Sequence, residues 1–123
     1  MTDEKRSLED VERLSSAVEQ TADHIMITDR AGRILYVNPA FEQTFGFSND
    51  QVMGKSIDFV PEENWAETKE AIRKMLSGQK IHLFETRRLT REGRVLDVQI
   101  SSTLYRNQDG EPVGNIVILR DVS

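Results

Sequence analysis

Between His24 and Phe47 the chain reads HIMITDRAGRILYVNPAFEQTFGF, and this stretch leaves little choice of fold. His24–Thr28 is a short apolar run with two isoleucines, which suits a strand. Asp29-Arg30-Ala31-Gly32 supplies a turn: aspartate can bond its own backbone, and glycine tolerates positive φ. Arg33–Val37 is a second strand of low polarity. Asn38 can then cap the orphan N–H groups of a helix whose first position is Pro39. Phe41 and Phe45 share one face of that helix, and Gly46 can end it. A hairpin therefore runs directly into a short helix that must fold back over the sheet.

The flanking segments extend this pattern. Leu8, Val11, Leu14 and Val18 recur at helical spacing within 7–21, with Glu9, Glu12, Arg13 and Glu19 off that face. The helix can lie on its own domain or share a seam with a second copy; fewer than three heptads do not decide this. Ser48-Asn49-Asp50 caps a single turn that ends at Gly54. Pro61 is expected to start a clear helix, with Trp65, Ile72, Met75 and Leu76 on its apolar face, a Glu70–Lys74 pair outside, and Gly78 at its end. From Lys80 onward the pattern is β: strands over 81–90, 95–105 and 113–122, with turns at Arg91-Glu92-Gly93 and Asn107-Gln108-Asp109-Gly110. Leu96, Val98, Ile100, Ser102 and Leu104 alternate with polar residues, so their strand has one buried face. Ile116-Val117-Ile118-Leu119 does not alternate, so the last strand is expected to be central and covered on both faces. The fold class is α+β, an antiparallel sheet with helices on one face.

Composition narrows the function. The chain of 123 residues has a net charge of −5 from 16 basic and 21 acidic residues, with the signs interleaved, which argues against nucleic acid or an anionic membrane as partner. No apolar run approaches the ~20 residues of a membrane span in this segment. With no cysteine there is no disulfide or thiolate nucleophile. There is no phosphate loop, and His24 and His82 form no metal or nucleophile motif by themselves. Catalysis within this chain is not expected.

Together, SAVEQTADHIMITDRAGRILYVNPAFEQTFGFS, VMGKSI, RRLTREGRVLDVQIS, NQDGEPVG and the closing Arg120-Asp121-Val122-Ser123 resemble a PAS domain, the sensor module of bacterial signalling proteins. The resemblance runs from Ser16 to the end. It implies a five-stranded antiparallel sheet in the order 2-1-5-4-3, with helices cupping one face around a pocket. It divides the chain into an N-terminal amphipathic, dimerising helix over 1–21 and a PAS domain over 22–123. It also implies a cytoplasmic, non-catalytic sensor or dimerisation domain of a two-component histidine kinase or a cyclic-dinucleotide enzyme. The Asp-Val-Ser ending resembles the point where a linker helix leads to an output domain, so the chain is expected to be part of a longer protein.

By analogy with flavin-binding members, the pocket face of the first strand would carry His24, Met26 and Thr28. The third strand would add His82, Phe84, Thr86 and Arg88, and the last two Val98, Ile100, Ser102, Asn115, Val117 and Leu119. Phe41, Phe45, Ile57, Val60, Ile72 and Met75 would form the helical walls. Taken singly, the apolar members are accounted for as ordinary core. Arg88 is different, because a buried guanidinium needs an acceptor. It can pair with a glutamate or turn to solvent; failing both, a polar or anionic ligand is its natural partner. Flavin photochemistry of the light-sensing type is excluded, because Ile57 stands where the resemblance places the adduct cysteine. Haem is disfavoured, because the resemblance places its ligating histidine on the long helix and 62–77 contains none, while FAD stays open. The family's closing aspartate, here Asp121, would pair with Arg30 or Arg33 and relay sheet distortion to a following helix. A small-ligand sensor, a ligand-free interaction module and an FAD redox sensor are the three functions to separate.

Overall fold

The computed structural model describes residues 23–122. The expected helix with Leu8, Val11, Leu14 and Val18 lies outside the described residues. Within them the chain forms β1 (His24–Asp29), β2 (Ile34–Val37), α1 (Pro39–Phe45), α2 (Asn49–Val52), a 3-10 turn (Glu62–Asn64), α3 (Trp65–Leu76), β3 (Ile81–Leu89), β4 (Val95–Arg106) and β5 (Pro112–Asp121). The strands make one sheet of order β2-β1-β5-β4-β3, each neighbouring pair antiparallel. This is the expected topology, with β5 at the centre.

The opening stretch folds by local chemistry. Asp29 Oδ1 accepts from the N–H groups of Ala31 (2.8 Å) and Arg33 (2.9 Å), and Gly32 takes φ 87° to close the hairpin. Asn38 then joins three segments. Its Oδ1 accepts from Phe41 N–H (3.1 Å) as a helix cap and from Ile25 N–H (3.0 Å), and its Nδ2 donates to the Asp23 carbonyl (2.8 Å). The side chain is fully buried, so the start of α1 is fixed against the start of β1. Gly46 ends α1 at φ 82°, donating to the Glu42 carbonyl.

The concave face of the sheet holds the core. Phe41 and Phe45 stack at 4.5 Å, Phe59 packs edge-on to Phe41 at 5.7 Å, and all three join Met26, Ile100 and Val117 in one cluster. Three expectations need correction. The helix after Pro61 begins with a 3-10 turn, and α3 proper starts at Trp65, because Asn64 at ψ 2° departs from helical geometry. Glu70 engages Arg73 at 2.6 and 3.1 Å in place of Lys74, since the guanidinium fork matches a carboxylate. The last strand is fully buried on one face only: Val117 and Leu119 are buried, while Ile116 and Ile118 are half-buried on the convex side.

Candidate functional site

Between α3 and the concave face of β1, β3, β4 and β5 lies a small, partly open cavity of about 30 Å³. Its apolar wall comes from Met26, Val117, Leu119 and Ile100 on the sheet, Ala71, Ile72 and Met75 on α3, and Ile57 and Phe59 on the loop between. The β3 side of the wall depends on an irregularity. Ile81 pairs with Ser102 and Phe84 with Ile100, so His82 and Leu83 together face the one residue Ser101. Leu83 takes φ 53° to make this bulge, a conformation that L side chains rarely adopt. The extra residue resets the alternation. Ile81, Phe84 and Arg88 turn into the cavity, and His82 turns out.

Three polar groups line the cavity: Arg88, Thr68 and Ser102. Arg88 is only 4% exposed. One terminal nitrogen, Nη1, donates to Thr68 Oγ1 (3.1 Å) and to the Arg87 carbonyl (2.7 Å). No carboxylate among the described residues forms an ion pair with it. Burial pushes its pKa down to about 10, against the pull of the Glu67 charge. Glu67 is itself engaged: it accepts from Thr86 Oγ1 and from Asn64 Nδ2 (2.9 Å), and these bonds hold its carboxyl below the usual range. The Ser102 hydroxyl is buried and has no hydrogen-bond partner among the described residues. Thr86–Glu67 and Arg88–Thr68 thus tie β3 to α3 and leave most of the guanidinium's donors unused.

Of the residues expected at a pocket, Met26, Ile57, Ile72, Met75, Phe84, Arg88, Ile100, Ser102, Val117 and Leu119 do line the cavity. The others are placed elsewhere. Phe41, Phe45 and Val98 are buried in the core, and Val60 is buried without lining the cavity. His24 is held by the Leu119 carbonyl (3.0 Å) and Thr44 Oγ1 (2.9 Å), with its ring edge-on to Phe45. A carbonyl only accepts, so Nδ1 carries the proton. Thr28 and Asn115 are register partners on β1 and β5, outside the cavity lining. Thr86 is committed to Glu67, and His82 is exposed because of the bulge. Phe59, Thr68, Ala71 and Ile81 were missed. The spacing of Thr68 and Ala71 from Ile72 and Met75 on α3 was the available signal.

The pairing of Asp121 with Arg30 or Arg33 does not fit the register. Asp29 sits opposite Gly114, seven residues and about 24 Å along β5 from Asp121, so the first hairpin and Asp121 occupy opposite ends of the sheet. Among the described residues, Arg120 and Asp23 form an ion pair at 3.9 Å at the Asp121 end.

The residues present do not fit a large cofactor in this packing. A volume of about 30 Å³ holds about two water molecules, far below the roughly 300 Å³ at which pockets for larger ligands begin. Both ring nitrogens of His24 are engaged, and His82 faces outward, so neither offers an axial ligand inside the cavity. Among the described residues no cluster of His, Asp and Glu could hold a metal ion, and no helix is long and apolar enough to cross a membrane.

Comparison with known proteins agrees with this architecture. The family model described as the PAS fold matches residues 12–122. The virulence sensor protein BvgS of Bordetella bronchiseptica is 32% identical over 120 residues, covering 91% of this chain and 10% of its own length. The chain thus spans about a tenth of that relative. A domain of a sensory box sensor histidine kinase/response regulator from Geobacter sulfurreducens superposes with a TM-score of 0.70 at 25% identity, over 90% of this chain and 93% of that one. The light-oxygen-voltage protein of Rhodobacter sphaeroides shares the fold, with a TM-score of 0.80 at 16% identity, over 94% of this chain and 68% of that one.

Proposed function

The chain belongs to the PAS-fold family of sensor domains, and from that premise we propose that it takes a small ligand into the cavity under α3 and relays the change to flanking helices. The carrying observation is Arg88, a cation buried in the cavity wall with no carboxylate partner among the described residues. Removing such a charge from water is costly, and the fold offers it one hydroxyl and one carbonyl in return. A ligand atom in the cavity can use the remaining donors. The relay is a population shift: a ligand that moves α3 or β3 biases the packing of what precedes β1 and follows β5.

The parent protein in this proposal is a histidine kinase, supported by the likeness to the Geobacter sensor histidine kinase/response regulator domain, while the likeness to the virulence sensor protein BvgS supports a sensor. A cyclic-dinucleotide enzyme would use the same module, which itself carries out no chemistry. The domain works in the cytoplasm as a homodimer, with the seam on the helical pattern of Leu8, Val11, Leu14 and Val18. Sizing at several concentrations tests the dimer. The small volume of the cavity favours a second reading, an interaction module with a closed core.

Small molecules released from the purified protein and weighed by mass spectrometry separate the two. The sensor reading expects a ligand released from the wild type and lost from Ala71→Leu, which fills the cavity. A folded wild type that releases nothing and that no metabolite stabilises contradicts it.

A further inference from the structure

Resting on that reading, we infer that the ligand is a small carboxylate with an apolar tail, its carboxylate on the guanidinium of Arg88 beside Thr68 and its tail toward Ile72 and Met75. The lining supports this division. Arg88 and Thr68 mark one place where charge can be met, and the wall around them is otherwise almost wholly apolar. Arg88 spends one terminal nitrogen on Thr68 and the Arg87 carbonyl, and among the described residues Nε and Nη2 have no hydrogen-bond partner. A planar fork with the Nε–Nη2 edge idle is the geometry that takes a carboxylate in two parallel bonds. Glu67 cannot serve, because Thr86 and Asn64 occupy its carboxylate.

A second, independent observation is Ser102. Its hydroxyl lines the same cavity further along β4, is 5% exposed, and has no hydrogen-bond partner. It marks a second polar point of the cavity, which a water beside the bound tail can satisfy. The free volume of about 30 Å³ holds about two waters, so a carboxylate with even a short tail enters only as Met26 and Met75 move, and methionine yields readily. A polyvalent anion is disfavoured, because one guanidinium neutralises one charge and the wall offers no other cation.

The test titrates the protein with sodium butyrate, with 1-butanol as its uncharged counterpart and sodium chloride as the ionic-strength control. Methyl carbon NMR of Met26 and Met75 reports entry into the cavity, and exposed Met53 serves as reference. Butyrate is expected to shift both cavity methyls and to bind at least about ten-fold more tightly than 1-butanol, the loss typical for a charged hydrogen bond. Arg88→Met is expected to abolish that preference. Arg88→Lys, which keeps the charge without the fork, is expected to retain part of it. Equal binding of the two probes, or butyrate affinity unchanged in Arg88→Met, overturns the carboxylate while leaving a ligand cavity in place. If neither probe moves either methyl, both the carboxylate and the cavity reading fall.

Discussion

Single residues decide how this domain is held together and where it is held at a cost. Asn38 bonds the start of β1, the start of α1 and the chain before β1 with one buried side chain. Asn38→Ala strands buried donors as well as removing a helix cap. It is expected to lower stability by about 2–4 kcal/mol, read from urea unfolding midpoints. Arg88 points the other way. Replacing a buried, unpaired cation by an apolar side chain of similar length removes a desolvation cost, so Arg88→Met is expected to be neutral or stabilising by about 1–4 kcal/mol. A loss of stability in the same assay would mean that the Thr68 bond outweighs that cost. Glu67 gives the acid limb. Its carboxyl is lowered in the fold, first by Thr86 and then by Asn64. The stabilisation from these bonds is therefore complete above the unfolded value of 4.5 and is lost as pH falls through the lower folded value. Thr86→Val takes away the larger of the two bonds, so its midpoint is expected to fall less than wild type between about pH 6 and about pH 3. Because Glu67 is exposed, the difference is small.

At the scale of elements, local chemistry was legible and long-range register was not. The hairpin, the Asn38 cap, Pro39 and Gly46 were read correctly because each depends on residues within a few positions. The Ser48 cap was read as well, but not the reciprocal bond from Gln51 that makes it a capping box. The β3 bulge could not be read, since it exists only where two residues of β3 meet one of β4. Strict alternation therefore put His82 inside in place of Ile81. The pairing of Asp121 with Arg30 or Arg33 came from the family resemblance, and the β1–β5 register, which no local pattern reveals, separates them. Phe41 and Phe45 were placed on the right face, but helical spacing gives a direction and not a depth. The bulge also carries a prediction. Leu83 is 49% exposed and holds φ 53°, so its side chain contributes little and strains the backbone. Leu83→Gly is expected to raise stability by about 1 kcal/mol in thermal unfolding. A decrease would show that the side chain packs in a way its exposure hides.

For the whole molecule, the sheet links the cavity to the ends of the domain. Val117 and Leu119 line the cavity, and Asp121 lies two residues further along the same face of β5. β1 is bonded to β5 along its whole length, and Asn38 binds the start of β1 to α1. In the relay we propose, a displacement at α3 or β3 would pass through these paired strands to the start of β1 and the end of β5, with no need for an Asp121–Arg33 latch. Gly114 marks how tightly β1 and β5 are joined: a Cβ there would run into the Thr28 carbonyl. Amide hydrogen exchange of the intact domain, with and without sodium butyrate, tests the central claim most directly. Occupation of the cavity is expected to slow exchange across Ile81–Arg88 and Val117–Asp121 together, at least several-fold, with the Asn107–Gly110 turn unchanged. Slowing confined to α3, or no slowing anywhere while the ligand is bound, would contradict a sensor whose cavity is coupled to its ends.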